Sequence, residues 1–162
     1  MKEKAIPLPK TPSRVKFSKK SIFVEVITAL LLITWLHAGV SKLIGHVGFK
    51  MQLFQSPIFQ KYSSLVSYAG PILEIFIAVL LIFQRTRRLG LLASFFLMAF
   101  FSWYVAYLMI KLPALPCSCG GVFSFLDWPQ HLIVNIALAI LAIIGFFLQK
   151  KIERKTKEQL PN

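Results

Sequence analysis

The uncharged stretch Leu89–Ile110, LGLLASFFLMAFFSWYVAYLMI, decides the fold of this chain. A helix needs about 20 apolar residues to cross the hydrocarbon core of a bilayer. Inside lipid, every backbone N–H and C=O group must be paired within its own segment, so a run of this length is expected to be a helix. Three further apolar runs are Ile22–Val40, Val66–Phe83 and Leu132–Leu148. The sequence therefore predicts an all-α polytopic membrane protein, a four-helix transmembrane bundle.

The composition agrees with one membrane domain flanked by two short tails. Of the 162 residues, 56% are hydrophobic and only 15% are charged. Residues 1–20 are basic and proline-containing, which is typical of a disordered cytoplasmic tail. Residues 21–149 form the predicted transmembrane domain, and residues 150–162 a second basic tail. The first apolar run is longer than the core of a signal peptide, so an uncleaved helix is expected.

The placement of the positive charges predicts the topology. Of the 19 Lys and Arg residues, all but four lie in the two tails or in the turn 84–88. The positive-inside rule then puts both termini in the cytoplasm and the loops Ser41–Leu65 and Lys111–Gln130 in the periplasm of a bacterial inner membrane. The net charge of +13 is accordingly expected to contact anionic lipid rather than nucleic acid.

The second of these loops contains Pro116-Cys117-Ser118-Cys119-Gly120-Gly121, with the only two cysteines of the chain. Cysteines one residue apart can reach the Cα separation that a disulfide requires, about 4.4–6.8 Å. A structural disulfide stabilises a fold most when it closes a long loop, and a bond between Cys117 and Cys119 would close a loop of only three residues. The small ring should be strained, which favours exchange chemistry. Cys117 and Cys119 are therefore the candidate catalytic pair of a thiol–disulfide oxidoreductase.

Two other interpretations remain open from the residues. Two thiolates one residue apart, together with His131 or Met109, suit Cu(I) and would make the chain a copper-handling membrane protein. Alternatively, the cysteines are incidental, and the chain is a non-catalytic accessory or assembly subunit of a quinone-linked or other redox complex.

Polar residues within the spans form a candidate cluster behind the cysteines. Glu74 is predicted to lie about two turns deep, where a carboxylate is costly and marks a functional-site candidate. Lys42 or His37 is its expected partner, while the long side chain of Lys42 is itself expected to extend to the outer headgroups. His37 is either a boundary residue bonded to a neighbour or a proton acceptor near the cysteines.

The fourth helix contributes further candidates at its start. Asp127 and Gln130 resemble a capping box around the first turn. His131 and Asn135 are four residues apart, so they are expected on one helix face. His131 could lower the pKa of a nearby thiol. In the first outer loop, a helix lying in the membrane interface is expected to break near Ser56-Pro57.

Several short motifs, taken in order, resemble a known family. Ala38-Gly39-Val40-Ser41-Lys42-Leu43, Gly70-Pro71-Ile72-Leu73-Glu74 and Arg87-Arg88-Leu89-Gly90 are similar to the DoxX-type four-helix membrane proteins. The stretch 116–121, followed by Trp128, His131 and Asn135, resembles the MauE branch of methylamine utilisation. The resemblance spans about residues 22–148.

This resemblance implies a redox-associated inner-membrane protein. MauE proteins are linked to maturation of methylamine dehydrogenase, whose small subunit needs many disulfides. Cys117 and Cys119 would then be the redox pair, with Glu74, His37 and Lys42 in the polar cluster behind it. A single cysteine pair needs another electron acceptor, and either a quinone between the helices or a periplasmic thioredoxin-like partner could serve. The sequence itself specifies no cofactor.

Overall fold

A computed structural model describes residues 19–111 and 127–158. The tail before Lys19, the cysteine loop 112–126 and residues 159–162 lie outside the described residues. The predictions for Cys117 and Cys119, and for most of the N-terminal tail, therefore stay predictions.

The described chain consists of five α-helices and one short 3₁₀ turn, Gln60–Tyr62. The helices are α1 (Lys19–Ile44), α2 (His46–Gln55), α3 (Ser63–Ile82), α4 (Arg87–Lys111) and α5 (Trp128–Glu158). Four of them, α1, α3 (with the 3₁₀ turn), α4 and α5, are long and apolar enough to cross a membrane. This confirms the predicted all-α polytopic bundle.

The four long helices pack as a closed ring. α1 packs against α3, α3 against α4, α4 against α5, and α5 returns to α1. At one end, α1 and α4 finish while α3 and α5 begin, and we call this the loop end. At the other end lie the α3–α4 turn and the last turns of α5, and we call this the basic end. The short helix α2 packs along α3 at the loop end.

A hydrogen bond across the centre of the ring joins α1 to α4. Trp35 Nε1 donates to Ser94 Oγ over 2.9 Å, and both residues are buried. Around it pack fully buried apolar residues from all four long helices, including Leu31, Leu81 and Leu91. Large apolar side chains on the outer faces, such as Ile33 and Phe96, stay exposed. That distribution is expected where lipid surrounds a bundle.

Two ion pairs hold the basic end together. Arg87 Nη1 lies 2.6 Å from Glu25 Oε1 and ties α4 to α1. Arg88 Nη1 lies 3.0 Å from Glu153 Oε2 and ties α4 to α5. Since Glu153 lies beyond the predicted span, α5 must continue as a helix to present it. The helix runs to Glu158, so most of the predicted C-terminal tail is helical.

Helix α2 confirms the predicted helix in the first outer loop. It ends at Ser56, whose φ of −80° and ψ of 128° are those of an extended residue. The ring of Pro57 disfavours the helical conformation for the residue before it, which explains the break.

A close approach of α1 and α3 depends on Gly39. A Cβ atom there would lie 2.8 Å from Ile75 Cγ1 and 3.1 Å from the carbonyl oxygen of Pro71. Ile75 is β-branched and stiff at χ1 in a helix, and the Pro71 oxygen belongs to the backbone. Neither atom can move aside without disturbing α3.

We expect Gly39→Ala to lower the free energy of unfolding by about 1–3 kcal/mol, the usual range for overpacking. The matched control is Gly70→Ala in α3, because a Cβ at Gly70 meets nothing within 4 Å. Removing a helical glycine there should leave the stability unchanged or raise it. Thermal unfolding of the detergent-solubilised protein, followed by circular dichroism, measures both. Equal shifts in the two variants would contradict this account of Gly39.

Candidate functional site

The centre of the candidate site is an ion pair between α1 and α3. Lys42 Nζ lies 2.5 Å from Glu74 Oε1. Glu74 is only 1% exposed, and the Lys42 side chain 13%. The sequence predicted this partner for Glu74, but the expectation that Lys42 extends to the headgroups is wrong. Opposite charges attract far more strongly in a low dielectric than in water, so Lys42 turns inward.

Aromatic rings surround the ammonium group of Lys42. Its Nζ lies 5.7 Å from the ring centre of Phe49 in α2 and 5.5 Å from that of Phe101 in α4. Both distances fall within the range of cation–π attraction, about 6 Å. The ion pair is therefore enclosed by helices other than the two that supply its charges.

The second carboxylate oxygen of Glu74 is buried and lacks a hydrogen-bond partner within residues 19–111 and 127–158. A buried acceptor left unsatisfied costs about 1–3 kcal/mol. Glu74 Oε2 is thus a position at which a hydrogen-bond donor from a bound molecule would be stabilising.

A cavity of about 310 Å³ adjoins this pair at the loop end. Its wall is mostly apolar, and small-molecule sites typically combine such walls with a few polar groups. All five helices contribute to it. The lining residues are Thr34, Trp35, Ala38, Lys42, Phe49, Leu53, Phe59, Val66, Ala69, Gly70, Leu73, Glu74, Leu97, Met98, Phe100, Phe101, Tyr104, Val105, His131 and Asn135.

The cavity wall reaches the outer surface of the bundle. Leu73 of α3 and Phe100 of α4 both line it, and they are 46% and 42% exposed. Because these residues lie on membrane-spanning helices, that side of the cavity borders lipid rather than water.

Helix α5 contributes two of the predicted residues. His131 and Asn135 both line the cavity, which confirms that they share a face. Asn135 is buried, and His131 is partly buried. Asp127 does not line the cavity, and it is exposed just before α5. Its backbone N–H donates to Gln130 Oε1 over 3.3 Å, which is one half of the predicted capping box.

His37 lies apart from these groups. It is exposed, and its Nδ1 is 3.1 Å from Ser41 Oγ on the same helix. This is the arrangement expected of a boundary histidine bonded to a neighbour. Of the predicted cluster, the structure thus brings together Lys42, Glu74, His131 and Asn135, but not His37 or Asp127.

The sequence did not single out His46, which fastens α2 to α3. Its ring stacks on Tyr68 at 4.1 Å, and its Nε2 lies 3.0 Å from Ser67 Oγ. The Ser67 hydroxyl already donates to the Ser64 carbonyl oxygen. The stacking and the polar contact both join the first residue of α2 to the beginning of α3. The place of His46 in the outer loop for which a helix is predicted was the one available signal.

We expect Glu74→Gln to destabilise the protein by about 3–5 kcal/mol, because losing one partner leaves a buried charge uncompensated. The matched control is Glu153→Gln, which breaks a pair that is about one-third exposed. Exposed ion pairs contribute about 0.2–1 kcal/mol. Thermal unfolding in detergent checks both, and equal stability and activity of the two variants would contradict the role assigned to Glu74.

The coupling of the two charges has its own test. Lys42→Met combined with Glu74→Gln should cost less than the sum of the two single substitutions, because neither charge then remains alone. Strict additivity in the same unfolding measurements would contradict a direct interaction.

The sequence that forms these helices matches the model of a known protein family. The chain matches the family model described as methylamine utilisation protein MauE over residues 20–148. No curated protein and no solved structure matches it. The matched range begins at the second residue of α1 and continues through α2, α3 and α4 into most of α5. It therefore includes every residue that lines the cavity. The chain thus belongs to the MauE family and is a multi-pass membrane protein.

Proposed function

We propose that this protein exchanges disulfides with a periplasmic partner through Cys117 and Cys119, from the bacterial inner membrane. The proposal rests on the buried Lys42–Glu74 pair in the wall of the mostly apolar cavity at the loop end, where segment 112–126 connects α4 to α5. Buried ionisable groups in a membrane span are costly and are a sign of function. Lys42 and Glu74 are such groups, and they lie at the loop end of the bundle. The segment that contains the cysteines begins and ends at the same end.

The tether is short. Cys117 follows Lys111 by six residues, and Cys119 precedes Asp127 by eight. Both flanking residues belong to the loop end. The chain connection therefore favours a position of the thiols near the end of the bundle that contains the cavity.

The charge distribution favours an outward orientation for this end. Arg87 and Arg88 lie at the basic end, together with the lysines and arginines after residue 149. By the positive-inside rule the basic end faces the cytoplasm and the loop end the periplasm. Disulfides persist in that compartment, whereas cytoplasmic thiols are kept reduced.

The exchange itself is a balanced two-step reaction. A thiolate of the partner attacks the Cys117–Cys119 disulfide, forms a mixed disulfide and displaces one cysteine as a thiolate. A second partner thiolate then attacks the mixed disulfide, forms the partner disulfide and releases the other cysteine. Two electrons have moved from the partner to the cysteine pair, and the reverse sequence reduces a partner disulfide.

The family supports a class of partner. Its description is methylamine utilisation protein, so we propose a role in the maturation of a disulfide-containing periplasmic protein of that process. A thioredoxin-like carrier between the two proteins would use the same exchange steps.

We expect Cys117→Ser and Cys119→Ser each to leave the partner in its unexchanged redox state. In the direction that reduces a partner disulfide, one of the single variants should also accumulate a mixed disulfide, because its remaining thiolate attacks the partner disulfide and no second cysteine of this chain is left to resolve it. Gel-shift thiol trapping of the partner measures the first effect, and non-reducing electrophoresis the second. The double variant contains no thiol and is the control for both assays. If the partner has the same redox state with all three variants as with the wild-type protein, the exchange mechanism is refuted.

The orientation is checked in intact cells with a membrane-impermeant maleimide. We expect wild-type protein to be labelled only after reduction, since the thiols are outward and oxidised. Absence of labelling before and after reduction would contradict an accessible, periplasmic cysteine loop.

A further inference from the structure

We propose that the cavity at the loop end binds a lipid-soluble quinone, which removes two electrons from the reduced Cys117 and Cys119. This inference rests on the proposed function, because an exchanging pair that oxidises its partner ends as a dithiol. It can act again only if an oxidant accepts those electrons. Quinones are the class of molecule that accepts two electrons and two protons while dissolved in a bilayer.

The charge state of the cavity favours a neutral ligand. Lys42 and Glu74 are 2.5 Å apart and together carry no net charge. A charged head of either sign would be attracted by one member of the pair and repelled by the other, so the pair provides no net attraction for a fatty-acid carboxylate or for a cationic head. Like charges in a low-dielectric site repel strongly. A neutral head with hydrogen-bonding groups avoids both conflicts.

The polar groups match both redox forms of a quinone. The ammonium of Lys42 has three donors, of which Glu74 Oε1 takes one. Another can therefore donate to a ring oxygen and stabilise the negative charge that develops there during reduction. The buried oxygen Glu74 Oε2 can accept a hydrogen bond from the hydroxyl group of the reduced ring. Asn135, on the α5 side of the cavity, offers both a donor and an acceptor.

The shape and position of the cavity fit a flat ring with an apolar tail. Aromatic side chains from α4 and from the segment before α3 form part of the wall, and Phe59 lies 5.2 Å from Tyr104, centre to centre. Offset and tilted stacking against such rings is favourable for a planar ligand. The volume of about 310 Å³ is at the small end for a ligand site. A ring-sized head therefore fits, while its tail can leave past Leu73 and Phe100 into lipid.

The electron balance is complete with this acceptor. The two S–H bonds of the dithiol break, and one S–S bond forms. Two electrons pass to the quinone, and each of its two ring oxygens takes up one proton, giving the quinol. The quinol leaves into the bilayer, and the regenerated disulfide is ready for the next partner.

The binding test uses a protein in which exchange chemistry is impossible. Cys117→Ser and Cys119→Ser remove both thiols, while Trp103→Phe and Trp128→Phe leave Trp35 as the only tryptophan of three. Trp35 lines the cavity. In lipid nanodiscs, we expect saturable quenching of its fluorescence by decylubiquinone or by a one-isoprenoid menaquinone. If neither quinone quenches saturably, the proposal is wrong, and this result requires no substitution in the cavity.

Two glycine variants locate the binding. Gly70 lines the cavity and a Cβ there meets nothing within 4 Å, so Gly70→Leu starts from an open position and should reduce the cavity volume. We expect at least a tenfold loss of affinity. Gly48, on α2, is equally open but lies outside the cavity, so Gly48→Leu is the matched control and should bind normally. Equal losses in both variants, or no loss in either, would overturn the assignment to this cavity.

Competition tests the class of ligand. Decanol and decanoate carry an apolar chain without a quinone ring. We expect neither to displace the quinone at concentrations at which the bilayer remains intact. Displacement by either one as effectively as by unlabelled quinone would mean an unselective apolar cavity and would refute the proposal.

Electron transfer is measured separately on the protein with both cysteines reduced. We expect two thiols to disappear for each quinone reduced, with the rate lowered at least tenfold by Gly70→Leu and unchanged by Gly48→Leu. Quinone that binds but leaves the thiols reduced would overturn the electron-transfer step. If the thiols are oxidised by quinone but the partner's redox state never changes, the quinone site stands and the proposed exchange with a partner fails.

Discussion

A buried ion pair is the interaction on which the loop end of this bundle depends. Neither Lys42 nor Glu74 could occupy its place alone, because an unpaired charge in a membrane interior is strongly destabilising. Once paired, they fix the register between α1 and α3. Gly39, three residues before Lys42, lets the backbones approach closely enough. Helix α2 and the aromatic residues of α4 then cover the pair, and the cavity is the space left between them.

The sequence predicted those features that depend on local chemistry. Four apolar runs indicated four spans, Pro57 indicated the end of α2, and Asp127 with Gln130 indicated the start of α5. Glu74 could be singled out because a carboxylate is rare in so apolar a segment, and only a few cations were close enough to pair with it. In each case, a residue type restricts its own backbone or demands a partner.

The remaining features depend on how the helices meet, and no single segment encodes that. The bond between Trp35 and Ser94 crosses the ring, and the inward turn of Lys42 requires Phe49 and Phe101 from two other helices. The stacking of His46 on Tyr68 likewise follows from the way α2 folds back on α3. Apolar periodicity reports which face is buried, but it does not report which neighbour covers that face.

The neutrality of the Lys42–Glu74 pair also has an electrical consequence. A lone charge displaced across the full membrane potential changes its energy by about 2.3 kcal/mol per 100 mV. The equal and opposite charges of this pair experience forces that nearly cancel, since they are only 2.5 Å apart. The transmembrane voltage therefore exerts almost no net force on this pair.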